Sequence, residues 1–175
     1  MDLQPAALKL SDVYAQINQL ALATGHVPKG KAVVAKMKSR IAAIIATVPK
    51  RATPLTYYHE LSPDLYSATS STFIGQVYGL LGLKNIADAA DSAGTGYPQL
   101  NAEYLISSNP DFVFLADTKC CQQDLASVAA RAGWANINAV KNGGVVNLDD
   151  DIASRWGPRI VNYLAVVAQR VAQVK

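Results

Sequence analysis

A run of five apolar residues without polar alternation, Phe112–Ala116, constrains the fold of this chain more than any other stretch. A strand that is apolar on both faces is typical of a parallel sheet covered by helices on both sides. Asn109 and Pro110 precede the run, and proline ends a helix because it lacks a backbone donor and restricts the residue before it. Asn101 suits the N-cap of that helix, and Glu103 its first turn. The segment therefore predicts a helix followed by a buried parallel strand.

The same alternation of strands and helices continues along the chain. Strands are predicted at 55–58 and 145–148, and amphipathic helices at 13–24, 28–48, 70–81, 124–131 and 158–171. The helix at 28–48 would run for about 20 residues, or roughly 30 Å, which is long for a small domain. Strands that alternate with helices predict the α/β class, here a Rossmann-like three-layer unit with a parallel sheet.

Length and charge narrow the functional classes. At 175 residues, 50% hydrophobic and 17% charged, the chain is typical of one globular domain. A net charge of +3 without a concentrated basic patch argues against nucleic-acid binding. No apolar run approaches the ~20 residues that span a membrane. The N-terminus lacks the basic and apolar regions of a signal peptide, so the sequence as written predicts a cytoplasmic chain.

Gly25–Lys31 has the GxxxxGK spacing of a phosphate-binding loop. Ala32 stands where the motif needs a hydroxyl for magnesium, and the segment before Gly25 is predicted to be a helix instead of the required strand. The spacing is therefore interpreted as a junction between two helices.

The two histidines and a serine pair offer weaker signals. His26 and His59 have no partner at metal-ligand spacing, and His59–Glu60 is predicted to be the polar end of a strand. Ser70–Ser71 lacks the glycines of a nucleophile elbow, so helix capping is the better interpretation.

Cys120 and Cys121 are adjacent, and no further cysteine could complete a zinc site. Consecutive Cα atoms lie ~3.8 Å apart, below the usual disulfide range of ~4.4–6.8 Å. Two interpretations stay open: a pair of free thiols in a loop, or a disulfide in an exported protein.

A polar segment lies just before the last helix. Asp149–Asp151 lacks the spacing of a calcium loop, which indicates a solvated loop with one useful aspartate. In the following Arg155–Arg159, a guanidinium can bind a carboxylate or phosphate at two points, and Trp156 offers a flat apolar face. The alternative is a helix start with ordinary surface arginines.

Four segments in this order resemble the carboxy-terminal half of periplasmic binding proteins for siderophores and vitamin B12, which serve ABC importers. They are YAQINQLALATGH, TSSTFIGQVYGLLGLKNIAD, YPQLNAEYLISSNPDFVFLAD and VVNLDDDIASRWGPRI. In that family two Rossmann-like lobes face each other across the ligand, and a long helix joins them. The resemblance implies that residues 1–53 are a helical segment with this backbone helix, that residues 54–175 are the C-terminal lobe, and that the N-terminal lobe is absent.

The resemblance also implies ligand-binding residues. Tyr66 falls in a loop that offers an aromatic ring to the cleft of vitamin B12 binders, and Tyr97 falls where such a protein has a cleft tryptophan. Asp151 and Arg155 fall at polar cleft positions, with Trp156 beside them.

Glu103 matches the family's acidic residue that docks onto an arginine of the membrane permease. The implied partners are a ferric siderophore or cobalamin, the ABC permease subunits and the missing lobe. Because such a chelate carries its own metal, we expect the protein to supply no metal ligands. The resemblance to binding proteins also implies no cofactor and no catalysis. The full-length receptor would lie outside the cytoplasm, periplasmic or lipid-anchored, and the export signal would be missing together with the lobe.

Two other hypotheses compete with a binding-protein function. One is a cytoplasmic Rossmann-like hydrolase with Cys120 or Cys121 as nucleophile, although no base motif accompanies them. The other is an isolated lobe with no ligand of its own. The apolar stripe of the 28–48 helix is predicted to be wider than a small sheet needs, which favours self-association.

Overall fold

The computed structural model describes residues 9–153, 155 and 157–174, and within them a single parallel sheet has the strand order β2-β1-β3-β4. The strands are β1 (Thr56–Glu60), β2 (Lys84–Asn85), β3 (Phe112–Leu115) and β4 (Val145–Asn147). The helices are α1 (Leu10–Ala23), α2 (Val27–Ala46), α3 (Phe73–Gly79), α4 (Ala102–Ser108), α5 (Thr118–Cys121), α6 (Leu125–Ala130), α7 (Asn138–Lys141), α8 (Asp150–Ala153) and α9 (Ile160–Gln173). Short 3-10 turns occupy Ala87–Ala90 and Trp134–Asn136.

The central strand β3 organises the core as its sequence predicts. Phe112 and Phe114 point into a cluster with the helices α1, α2, α3 and α9 on one face of the sheet. Val113 and Leu115 point into a second cluster, with α4, α6 and α7 on the other face. All four side chains are buried. The predicted α/β class, with a three-layer Rossmann-like arrangement around a parallel sheet, is confirmed.

The helix before β3 begins and ends at the predicted residues. The Asn101 side chain accepts a hydrogen bond from the Tyr104 backbone N–H at 2.8 Å, which caps α4. Asn109 adopts a left-handed conformation with φ 45°, which ends the helix just before Pro110. By contrast, α3 is capped by Thr72 and not by the predicted serine pair, because its hydroxyl accepts from Gly75 N.

The long helix is confirmed as α2, which has 20 residues. Gly25, with φ 71°, lies in the turn between α1 and α2, so the GxxxxGK spacing is a helix–turn–helix junction. Of the predicted apolar stripe of α2, Val34, Met37 and Ile41 are buried against α1 and α9, whereas Val33 is exposed and Ile44 and Ile45 are half-buried. No helix among the described residues combines the length and the apolar character needed to cross a bilayer.

The α1–α2 contact depends on a glycine. A Cβ at Gly30 would lie 2.4 Å from the Cβ of Ala21, so Gly30→Ala must push the helices apart. We expect a loss of about 1–3 kcal/mol in the free energy of unfolding, measured by urea denaturation. Gly79→Ala is the matched control, because a Cβ there meets nothing within 4 Å and alanine favours helix. Equal unfolding midpoints for the two variants would contradict this close packing.

Candidate functional site

The loops that follow the four strands all emerge at one edge of the sheet, because the strands are parallel. The chain runs from β1 outward to β2 and then returns to β3 on the other side of β1, so the strand order reverses between β1 and β3. Open α/β sheets bind ligands at such a reversal, outside the carboxyl ends of the strands. The predicted site residues lie along this edge: Tyr97 follows β2, Tyr66 follows β1, and Asp151 and Arg155 follow β4.

The two tyrosine loops are held together by backbone pairing. Tyr66 forms an antiparallel bridge with Gln99, and Ser67 N donates to Pro98 O at 3.0 Å. The Tyr66 and Tyr97 side chains remain 43% and 47% exposed. Exposed aromatic rings on a fixed backbone offer stacking area to a flat ligand.

Asp151 and Arg155 form an ion pair at 3.0 Å, and both side chains are exposed. Lys119 joins them from the loop after β3: its Nζ lies 2.9 Å from Asp149 Oδ2 and 3.3 Å from Asp151 Oδ2. The predicted polar positions are therefore brought together, with Lys119 as a neighbour that the sequence analysis missed. The position of Lys119 shortly after a buried strand was the sequence signal that could have placed it at this edge. Trp156, the remaining predicted ligand residue, lies outside the described residues.

Asp150, also missed, is the aspartate that joins two of these loops. Its carboxylate accepts hydrogen bonds from Thr118 N (3.1 Å), Thr118 Oγ1 (2.7 Å), Lys119 N (2.8 Å) and Cys120 N (3.2 Å). Partial burial alone would raise the pKa of Asp150, but these donors hold it below its ordinary value. The triplet is thus not a uniformly solvated loop, because Asp150 fixes the loop after β3 to the segment after β4.

Cys120 and Cys121 lie in α5 and are joined by a disulfide, which decides between the two interpretations left open by the sequence. Cys120 is exposed and Cys121 is half-buried. Since both sulfurs are bonded, neither is a free thiol nucleophile in this state.

A buried ion pair lies beneath the edge. Arg131 donates to both carboxylate oxygens of Glu60 at 2.6 Å, and also to Gln123 Oε1 at 2.7 Å. Its guanidinium lies 4.6 Å from the centre of the Trp134 ring. Glu60 is the last residue of β1, so the predicted polar strand end is confirmed, and its side chain is fully buried.

Asp117 lies beside this pair at the end of β3, and it is also fully buried. Neither carboxylate oxygen has a hydrogen-bond donor among the described residues. Burial first, and then the negative charge of Glu60, raise the pKa of Asp117 to about 7. This carboxyl therefore holds its proton far more tightly than a solvated aspartate does.

His59, the other residue of the predicted polar strand end, is also buried in β1. Its Nδ1 shares a hydrogen bond of 2.6 Å with the Tyr78 hydroxyl, on the face of the sheet opposite Glu60. Burial lowers the pKa of His59 to about 3, so the ring is neutral. No group of three or more potential metal ligands occurs within the described ranges.

Glu103, the predicted docking residue, is exposed in the first turn of α4, as expected for a residue outside the apolar pattern. It follows the Tyr97 loop in the chain and takes no part in the core.

The sequence of this chain also matches those of known proteins. A family model described as periplasmic binding protein matches residues 1–152. The uncharacterized ABC transporter substrate-binding lipoprotein YvrC of Bacillus subtilis (strain 168) is 30% identical over 169 residues, which cover 94% of this chain and 51% of the relative. A cobalamin-binding protein of Halobacterium salinarum (strain ATCC 29341 / DSM 671 / R1) is 32% identical over 167 residues, covering 93% of this chain and 44% of the relative.

A solved structure extends the comparison. A possible iron-binding, periplasmic solute-binding protein from Staphylococcus epidermidis ATCC 12228 matches with a TM-score of 0.81 at 28% identity, covering 95% of this chain and 64% of that one. The chain spans about half the length of the curated relatives it matches. Sequence match and fold agree with the resemblance seen first in the ordered segments, and this chain belongs to the periplasmic binding protein family.

Proposed function

We propose that this chain supplies one wall of the ligand site in the substrate-binding protein of an ABC importer, and that the ligand is a metal chelate of the ferric-siderophore or cobalamin type. The relatives support this class: one is named as an ABC transporter substrate-binding lipoprotein and another as a cobalamin-binding protein. The observation that carries the proposal is that Tyr66, Tyr97 and Arg155 all lie in segments that follow strands of the parallel sheet, whose carboxyl ends share one edge. Periplasmic binding proteins are not enzymes, so the hydrolase hypothesis has no support.

The residues at this edge suit such a ligand chemically. Two exposed tyrosines offer stacking surface and hydroxyls, and the arginine stays charged near neutral pH. Asp151 holds Arg155 at 3.0 Å, which orients the guanidinium before ligand arrives. Because the chelate carries its own metal, binding needs shape, stacking and charge from the protein. Trp156 stays part of the proposed site.

The remaining partners follow from the same proposal. Residues 54–175 would form the C-terminal lobe, residues 1–53 the helical segment with the backbone helix, and a second lobe would supply the opposite wall. Glu103 would face the permease from the exposed first turn of α4. The working receptor would lie outside the cytoplasm, in line with the lipoprotein name of one relative.

Self-association would use exposed apolar residues of α1. These are Leu20 and Leu22, which are 58% and 69% exposed.

The test compares ligand binding by this chain alone with ligand binding by a two-lobed protein that contains it. Titration of this chain with cyanocobalamin and with ferric siderophores is expected to give a Kd of roughly a millimolar or no saturation, because one wall lacks half the contacts and the preorganisation. In a two-lobed protein that contains this chain, binding should be tight. There, Tyr97→Ala or Arg155→Ala is expected to weaken binding by at least ~1 kcal/mol.

Arg170→Ala is the matched control, because Arg170 is an exposed arginine on α9, away from the edge. In the same two-lobed protein, Glu103→Ala should leave binding unchanged and lower transport. Tight binding by the single chain would show that no second wall is needed. Unaltered affinity in both the Tyr97 and Arg155 variants would place the site elsewhere.

A further inference from the structure

The vicinal disulfide lies in the middle of the proposed ligand edge. β3 lies between β1 and β4, so the loop after β3 separates the tyrosine loops from Asp151 and Arg155. That loop is α5, a single helical turn whose last two residues are Cys120 and Cys121. Cys120 is an exposed residue whose sulfur also lies 3.6 Å from Asp117 O, so a thiolate would approach this sulfur from the solvent side of the turn.

The disulfide is linked by hydrogen bonds to both neighbouring parts of the structure. On one side, Asp150 accepts a bond from Cys120 N at 3.2 Å, along with those from Thr118 and Lys119. On the other side, Gln123 Nε2 donates to Cys121 O at 3.0 Å, and Gln123 Oε1 accepts from Arg131. A change in the turn at Cys120–Cys121 therefore acts directly on Asp150, the residue that precedes the Asp151–Arg155 pair.

Reduction of this disulfide by thiol–disulfide exchange needs one external reagent, a dithiol. The thiolate of a dithiol attacks the sulfur of Cys120, the more exposed residue of the pair, and the sulfur of Cys121 leaves as a thiolate and takes up a proton. The second thiol of the reagent then displaces Cys120, which also becomes a thiol. The disulfide gains two electrons and two protons, and the dithiol becomes a disulfide.

We propose that Cys120–Cys121 is a reversible thiol–disulfide modification site at the ligand-facing edge, reduced by dithiols, and that its redox state sets the conformation of residues 149–155 through the carboxylate of Asp150. This inference goes beyond the proposed function. An exported protein keeps such a pair oxidised until a dithiol reductant meets it. The two neighbouring loops then form one rigid wall when the pair is oxidised and a looser one when it is reduced.

The experiment uses this chain without any ligand, and dithiothreitol is the probe. A thiol-specific reagent should detect no thiol in the oxidised protein and two after reduction, since the chain has two cysteines. Amide hydrogen exchange at Thr118, Lys119 and Cys120 is expected to accelerate about tenfold on reduction, because Asp150 no longer holds these donors in place. The backbone NMR signals of Asp151 and Arg155 should shift, and removing dithiothreitol under air should restore both signals.

Two variants separate local coupling from general loosening. Replacing both cysteines with serine should reproduce the reduced spectrum and abolish the response to dithiothreitol. Asp150→Asn should keep the change in thiol count but remove the shift at Asp151 and Arg155, whereas Asp64→Asn, at an exposed aspartate in the loop after β1, should leave that shift intact.

Three outcomes would overturn the proposal: two free thiols before any reductant is added, reduction that leaves residues 149–155 unchanged, or reduction that unfolds the whole domain. Because no readout involves a chelate, these results stand apart from the test of the proposed function.

Discussion

Replacing Arg131 with methionine is expected to lower the free energy of unfolding by about 3–5 kcal/mol, because the change leaves the buried Glu60 carboxylate without its partner. Glu60 has no exposed surface, and both of its oxygens accept from Arg131 at 2.6 Å. A charge removed from water is costly unless it is paired, so the loss far exceeds that of a surface ion pair. Urea unfolding of the variant and the parent measures the difference.

Arg170→Met is the matched control for arginine removal, since Arg170 is exposed and bonds only to the nearby Gln173 among the described residues. Its cost should stay within about 0.5 kcal/mol. The double variant Glu60→Met/Arg131→Met should recover much of the loss, because an apolar pair replaces both charges. If Arg131→Met costs no more than Arg170→Met, Glu60 is not held by this ion pair.

Replacing Asp117 with asparagine is expected to stabilise the protein above neutral pH, by up to about 4 kcal/mol, and to have little effect near pH 4. The folded state keeps the Asp117 proton until about pH 7, whereas the unfolded chain releases it near the ordinary value of 3.8. Between these values the folded state binds more protons, so the free energy of unfolding falls as pH rises. The side chains facing Asp117 are those of Glu60, Arg131 and Tyr58. Of these, Arg131 favours the ionised form of Asp117, and the Asp117 backbone N–H acts in the same direction.

Because His59 also makes stability depend on pH, the Asp117→Asn variant has to be compared with the parent protein. Its pKa of about 3 lies below the ordinary 6.5, so the unfolded chain takes up a proton that the folded state refuses, and stability falls as pH falls through this window. The change of unfolding free energy with pH that His59 causes is opposite in sign to that of Asp117, and it masks the Asp117 effect in the parent protein. The difference in unfolding free energy between Asp117→Asn and the parent, measured from pH 4 to pH 8, isolates the Asp117 contribution. A difference that does not grow with pH would show that Asp117 titrates normally.

What the sequence by itself determined about this protein is the part of the structure that local rules control. The buried strand Phe112–Leu115, the Asn101 cap and the 20-residue helix α2 all follow from patterns within a few residues, because caps, breakers and periodicity act over one or two turns. The order of four segments was also enough to indicate the family.

The contacts that make the edge a site were decided by the tertiary structure. Glu60 and Arg131 are 71 residues apart in sequence, and Asp150 reaches Cys120 across 30. At the polar end of β1, Glu60 forms a buried ion pair with Arg131. Asp150 belongs to a triplet that was predicted to be solvated, and its carboxylate joins two loops. Such pairs form because parallel strands bring their following loops to one edge, and only the strand order decides which loops become neighbours. That order depends on how the helices cover both faces of the sheet, which no local pattern records.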